Sequence, residues 1–474
     1  MRLKRKSVFA ASTGALVVTL AGLAGTGALG TTGDPTAAAQ LATVKIYPDI
    51  RHVGDVEKAP PTTADCEAAF HVACYQPGQI QQAYSLPALY RQRVTGKGTT
   101  IVIVDSFGSP TIKSDLRTFD QTFRLPAPPS LKVIQPAGRV PAFNPSSADM
   151  IGWAGETTLD VEYAHTIAPG ASILLVETPV SETEGVTGFP QVVKAENYVV
   201  NHHLGDVITQ SFGATEATFP KKKDVDVLRQ AYVNAYRHKV TVLASAGDTG
   251  ATDVESDGAT FYEHPAADWP ASDPLVTGLG GTQLNLDAAG NHRTPDTVWN
   301  DTYNAATQQF IYGDNGPNPL ATGGGKSELF RRPSYQNDVS PQVAADRGIP
   351  DVSMSAACNG AVDVYQSIPG TMPGWYPTCG TSEASPEFAG IVALADQVAG
   401  HSLGLVNPEL YQLAQRREPG IVPVTAGNNT VSFTQDNKLF TVRGFSARKG
   451  YSTVAGVGTV NARFFVPELA HAAR

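Results

Sequence analysis

Three short segments carry side chains that could do chemistry together. TCGTSEASP (378–386) holds Ser382 in a glycine-led turn of the kind that presents a nucleophile. A hydroxyl at its free pKa is a poor nucleophile and needs an adjacent base. The familiar base is histidine, yet no His-Gly-Thr segment occurs, and the ten histidines lie in unlike contexts, such as His165 in YAHTIAPG and His264 in YEHPAAD. WAGETTLDVEYAHTIAPGA (153–171) offers another base. Glu156 and Asp160 are spaced i, i+4, which puts both carboxyls on one helical face. Their neighbours Trp153, Ala154, Leu159 and Ala164 are apolar, so the face is expected to be buried rather than solvated. Two carboxyls sharing a buried site cannot both ionise freely; one pKa rises and the pair titrates together. That can make a carboxylate basic enough to take a serine proton. ASAGDTGAT (244–252) places Asp248 at a glycine-rich turn. The simplest role for such a residue is turn formation. Held protonated by burial, it could instead donate a hydrogen bond to a developing oxyanion.

These residues need a frame. TIVIVD (100–105), SILLVE (172–177), DVITQS (206–211) and VTVLAS (240–245) are short β-branched runs that predict buried strands. Helical patterns at 154–167, 190–203 and 224–238 lie between or before them. Alternating strands and helices predict an α/β fold, a mainly parallel sheet flanked by helices in three layers. Ligands in such sheets bind beyond the carboxyl ends of the strands, where Asp105, Ser211 and Asp248 fall. An apolar helix follows Ser382, with Pro386 suited to its first turn. Residues 251–350 are rich in Gly, Pro and Asn and predict long loops and short strands.

Arg2, Lys4, Arg5 and Lys6 precede an apolar run from Val8 to Leu29, and small residues follow. That order predicts a secretory signal peptide over 1–39; a single membrane anchor is the competing reading. A short arm over 40–75 and a catalytic domain over 76–474 complete the expected organisation. The chain is expected to be secreted and extracellular, with no stable membrane association after signal cleavage. Export makes the four cysteines candidates for two local disulfides, Cys66–Cys74 and Cys358–Cys379, among three possible pairings. A net charge of −9 argues against nucleic acid, and the short basic run Lys221–Lys223 reads as a solvated turn.

The segments together resemble the sedolisin family, the serine-carboxyl peptidases. The resemblance rests on GETTLDVEYAHTIAPGA, VITQSFG, VLASAGDTG and CGTSEASP in family order. DPLVTGLGGT, GGGKSELFRRPSYQ, IPDVSMSA and GVGTVN support it, and together they cover roughly residues 76–464. It implies a subtilisin-like fold and hydrolysis of protein or peptide substrates at acidic pH through an acyl-enzyme, by a monomer without a catalytic cofactor. It implies Ser382 as nucleophile, Glu156 as general base, Asp160 as the residue that orients and tunes Glu156, and Asp248 as the oxyanion-stabilising acid. Asp105, in IVIVDSFG, stands outside that core set and could extend its hydrogen-bond network. Three departures stand out. Only some forty residues separate the signal from the catalytic domain, where relatives carry a long folded propeptide. Phe212 stands where many relatives have Trp. The family's calcium site uses two aspartates plus backbone carbonyls, but here the stretch at the expected Asp-Ile reads IVPVTAGNN, with Pro423 and Val424, and the stretch near the second aspartate reads KGYSTVAGVG, with Ser452, so Pro423 and Ser452 hold the acid positions. Calcium prefers several hard anionic oxygens, so no metal is expected there. Two rival readings remain at this point: a subtilase using Asp105 and a histidine such as His165, and a non-catalytic peptide-binding relative.

Overall fold

The computed structural model describes residues 51–53, 56–302 and 319–473; the expected signal segment and residues 40–50 of the arm lie outside them. The β-branched runs assemble into an eight-stranded sheet. Its strands are β1 (Thr100–Ser106), β2 (Leu131–Ile134), β3 (Ser172–Thr178), β4 (Val207–Gln210), β5 (Thr241–Ser245), β6 (Thr277–Gln283), β7 (Thr297–Val298) and β8 (Val352–Ser355). The order is β7-β6-β5-β4-β1-β3-β2, with β8 also joined to β6. Every pairing is parallel except β6 with β7. The chain builds outward from β1 in both directions, and the crevice at such a switch is where α/β sheets place ligands.

β1 shows why the sheet is covered on both faces. Successive side chains of a strand point to opposite sides. Ile101 and Ile103 join one core with Leu159, Leu175 and Phe388, while Val102 and Val104 join a second with Val176, Phe189 and Trp269. The helices are α1 (Ile112–Phe123), α2 (Ala148–Ile167), α3 (Phe189–Asn201), α4 (Lys222–Leu228), α5 (Gln230–Arg237) and α6 (Thr381–Ala399). α1, α2 and α6 pack into the first core, α3 and α5 into the second.

Three elements differ from the sequence expectation. α2 starts six residues before 154, because Ser147 caps it by accepting from the Met150 amide at 3.3 Å. The single helix expected over 224–238 is two, α4 and α5. Arg229 lies between them, its guanidinium bound to both carboxylate oxygens of Asp273 at 2.8 and 2.9 Å. α6 starts at Thr381, so Pro386 sits in its second turn rather than its first. Within 251–350 the glycine-rich segment 277–283 forms a full strand of the main sheet.

A second, four-stranded sheet joins Arg51–His52, Gly374–Cys379, Ala361–Gln366 and Cys74–Tyr75. Residues 51–75 of the arm thus supply two of its strands and the helix Thr63–Phe70. Both disulfides form as expected, Cys66–Cys74 and Cys358–Cys379, with Cα separations of 5.8 and 4.9 Å. Cys379 ends a strand one residue before the turn into α6, so its bridge fixes the approach to Ser382.

Candidate active site

α2 is buried on all sides from Trp153 to Ile167, as befits a helix in the middle of a large core. It lies directly against α6. A Cβ on Gly390 would fall 2.6 Å from the Ile167 Cβ, so only glycine lets the two helices approach this closely. That contact sets the Glu156/Asp160 face against the start of α6.

α6 opens at Gly380 with φ +136°, a conformation L side chains rarely adopt, and a Cβ there would strike Asp248 Oδ2. Asp248 Oδ1 accepts from the Thr381 amide at 2.7 Å and from the Thr381 hydroxyl at 2.6 Å. Asp248 is therefore tied to the residue before Ser382. The N-terminus of α6 adds its positive dipole end at the same place.

Pro386 has a further consequence. In a helix the amide of residue 386 would bond the carbonyl of Ser382, but proline has no N–H. The Ser211 hydroxyl, just beyond β4, lies 3.3 Å from that carbonyl oxygen and donates to Asp160 Oδ1 at 2.8 Å. Ser211 thus links the carboxyl pair to the backbone of Ser382.

Asp105, Glu156 and Asp160 are completely buried. The Asp160 carboxyl is held well above the ordinary carboxylate range by burial, then by the charges of Asp105 and Glu156, with the Ser211 hydroxyl opposing. Burial pushes Asp105 up to about 7; the Thr157 hydroxyl opposes this and the Glu177 charge adds to it. The structure therefore gathers Asp105, Glu156, Asp160, Asp248 and Ser382 at the carboxyl ends of β1, β4 and β5.

The histidine arrangement finds no geometry. His165 is buried two and a half turns along α2 from Glu156, its Nε2 2.8 Å from the Pro126 carbonyl and 3.3 Å from Asp120 Oδ1. His264 is exposed, with Nδ1 3.1 Å from its neighbour's carbonyl.

A cleft of about 360 Å³ opens beside Ser382 and Asp248. Sequence reading missed four acids that line it: Glu182, Glu184, Asp253 and Asp268. The available signal was position. Glu182 and Glu184 follow the carboxyl end of β3, and Asp253 lies five residues past Asp248.

At the expected calcium positions Pro423 and Ser452 stand where carboxylates were expected. Val424 is buried with Val298, Val454 and Ala455, and Ser452 accepts the Ala455 amide at 3.2 Å in a tight turn. Among the described residues no three His, Cys, Asp or Glu side chains form a metal-ligand group.

A subtilisin-like sheet with a serine at a helix N-terminus and buried carboxyls behind it is the arrangement that the resemblance to serine-carboxyl peptidases implies. Comparison with known proteins agrees. Kumamolisin from Bacillus sp. (strain MN-32) is 30% identical over 393 residues, 81% of this chain and 62% of that protein. Sedolisin from Pseudomonas sp. (strain 101) is 29% identical over 340 residues, 71% and 53%. Tripeptidyl-peptidase 1 of Canis lupus familiaris is 26% identical over 451 residues, 88% and 69%. The chain spans 62% and 53% of the lengths of the first two. The solved structure of Pseudomonas sedolisin, a serine-carboxyl proteinase complexed with two molecules of pseudo-iodotyrostatin, matches the fold. Its TM-score is 0.66 at 24% identity, covering 84% of this chain and 98% of that one. No family model matches the chain. By its relatives and its fold, the chain belongs to the sedolisin family.

Proposed function

We propose that the protein is a secreted serine-carboxyl peptidase, hydrolysing protein or peptide substrates outside the cell at acidic pH. Ser382 Oγ attacks the scissile carbonyl carbon while its proton passes to the Glu156 carboxylate. The carbonyl π electrons move onto oxygen, and protonated Asp248 donates to that oxyanion. With Oδ1 already accepting two hydrogen bonds from Thr381, Oδ2 is the oxygen that carries the proton. Collapse breaks the C–N bond, and Glu156 gives its proton to the leaving amine. Water then attacks the acyl-enzyme with Glu156 again as base, releasing the acid and restoring Ser382. Asp160, kept protonated by burial, can donate to Glu156 and orient it. Asp105 lies behind Asp160 and tunes it.

The observation that carries this reading is the Ser211 hydroxyl joining Asp160 to the Ser382 backbone. The test is labelling of Ser382 by a fluorophosphonate probe. Glu156→Gln should slow labelling strongly and His165→Ala should not. A folded protein whose Ser382 never labels would instead be the non-catalytic peptide-binding relative.

A further inference from the structure

The two helices α3 and α5, which pack into the second core, end in the same way. α3 closes at His202, followed by His203 at φ +52°; α5 closes at His238, followed by Lys239 at φ +57°. His203 and His238 are exposed, and their rings lie 5.5 Å apart between centroids with a tilt of 58°. The helix ends are fixed against each other. The Asn234 side-chain amide in α5 donates to Oδ1 of Asn197 at 3.0 Å and to Oδ1 of Asn201 at 2.9 Å in α3.

The His238 ring is also held in one tautomer. Its Nδ1 lies 3.0 Å from the Asn234 carbonyl oxygen. A carbonyl oxygen only accepts, so Nδ1 carries the proton and Nε2 keeps a bare lone pair. That is the state in which histidine ligates a metal, with its second nitrogen donating to a backbone carbonyl. Capping of a last-turn carbonyl accounts for Nδ1; it does not account for a second exposed imidazole set against the first. His202 repeats the carbonyl contact, with Nδ1 2.8 Å from the Tyr198 oxygen, but its ring is stacked on Tyr198 at 4.0 Å.

Two imidazoles holding one ion at about 2.0–2.1 Å per nitrogen have ring centroids roughly 5–6 Å apart, and the His203–His238 separation falls in that range. Arg237 and Lys239 flank His238. A hard cation held by charge is repelled there, whereas an ion bound through imidazole nitrogen is favoured. Among the described residues no third His, Cys, Asp or Glu joins the pair, which leaves the remaining coordination positions to water.

We propose that His203 and His238 form a surface site for a divalent late transition ion such as zinc or copper, which clips the end of α3 to the end of α5. The clip lies where these helices lead into β4 and β5, at the opposite end of those strands from Ser211 and Asp248. It acts on stability and not on the chemistry at Ser382. An ion held by two neutral nitrogens and water exchanges readily, so dialysed protein is the metal-free reference.

Zinc sulfate is titrated into the dialysed full chain at pH ~7.5, above the ordinary imidazole range. Calorimetry should show one zinc bound per chain, and zinc should raise Tm. His203→Ala and His238→Ala should each weaken binding at least about tenfold and remove the rise. His202→Ala and His264→Ala should leave both unchanged. All four side chains are exposed, so the variants should fold, which circular dichroism checks. With copper in place of zinc, electron paramagnetic resonance should show two nitrogen ligands, reduced to one in either ligand variant. Absence of zinc binding by the wild-type chain would overturn the proposal. Binding that survives in both His203→Ala and His238→Ala would do the same, as would an equal loss in His202→Ala.

Discussion

The molecule carries two buried carboxyl pairs at i, i+4, one on each of two touching helices. Glu156 and Asp160 lie on α2; Glu383 and Glu387 lie on α6, beginning one residue after Ser382. All four are completely buried. The α2 pair meets the Ser211 hydroxyl, the Asp105 carboxyl and the start of α6. The α6 pair is turned about 100° per residue away from Ser382, into the region of Tyr84, Ser355 and Tyr163. There the Tyr84 hydroxyl accepts the Ser355 amide at 2.6 Å. Burial raises Glu383, with the Ser355 hydroxyl opposing and the Asp248 charge adding. Burial and then the Glu383 charge raise Glu387. Spacing places two acids on one face; what that face meets decides whether they do chemistry or sit as neutral core groups.

The largest difference should appear on the chemical step. Glu156→Gln should lower kcat by about 10²- to 10⁴-fold, the usual contribution of a general base, with the fold retained by circular dichroism. Glu383→Gln, measured on the same peptide, should cost less than about tenfold. If the two losses were alike, the contrast between the pairs would fail.

This contrast also shows what the sequence made legible. The strands, the central helix and the candidates Glu156, Asp160, Asp248 and Ser382 could be picked out because each sits in a local pattern: a β-branched run, an apolar helix, a glycine turn. Glu383 and Glu387 went unremarked because their burial depends on residues some three hundred positions away, such as Tyr84. The Ser211 link was invisible for a similar reason. It needs Pro386 in the second turn of α6, and the sequence alone placed that proline in the first. Glu182 lies in the segment after β3 and Asp268 in a short strand paired with Ala214–Thr215, so they meet only across the folded cleft.

A smaller change is expected from Asp248→Asn, read as a pH profile. In the proposed mechanism Asp248 acts only while protonated and Glu156 only while ionised, so kcat/KM should be bell-shaped with its maximum on the acidic side of neutral. A histidine base would lose activity on acidification through about pH 6.5. Asparagine keeps a donor that does not titrate. The variant should retain partial activity, with its high-pH limb moved upward between about pH 3 and about pH 8. A wild-type maximum at neutral or alkaline pH would remove the carboxyl mechanism.

Glu383 and Glu387 should make their mark on stability. Their folded pKa values lie above the unfolded ones, so the folded state binds more protons between the two. Stability is then fully present below the unfolded value, about pH 4.3, and falls as pH rises toward the folded value. The double substitution Glu383→Gln and Glu387→Gln should flatten the decline of Tm with rising pH and change it least near pH ~4. An unchanged slope would mean that the pair is not the neutral core group described here.

The smallest expected effect concerns the place where Pro423 and Ser452 stand at the expected calcium-ligand positions. A calcium site gains from several anionic oxygens held close together, whose mutual repulsion the cation relieves. Removing calcium from such a site loses the binding free energy and lowers Tm. Here Val424 is packed with Val298, Val454 and Ala455, and the Ser452 hydroxyl is occupied by the Ala455 amide. Burial of that cluster holds the loops together by the hydrophobic effect, which no chelator disturbs. The main-chain bridge between Ser452 and Gly456, at 3.0 and 2.9 Å, closes the turn. A chelator such as EDTA should therefore leave Tm unchanged within error, and added calcium should not raise it. A large drop on chelation, restored by calcium, would show that acids elsewhere, Asp436 for example, hold a cation. Pro423→Asp sharpens the test. One carboxylate returned at this exposed position should change Tm little by itself, and calcium should not raise Tm while Ser452 remains. A rise of Tm with calcium in this variant alone would mean that the site lacked only that one ligand.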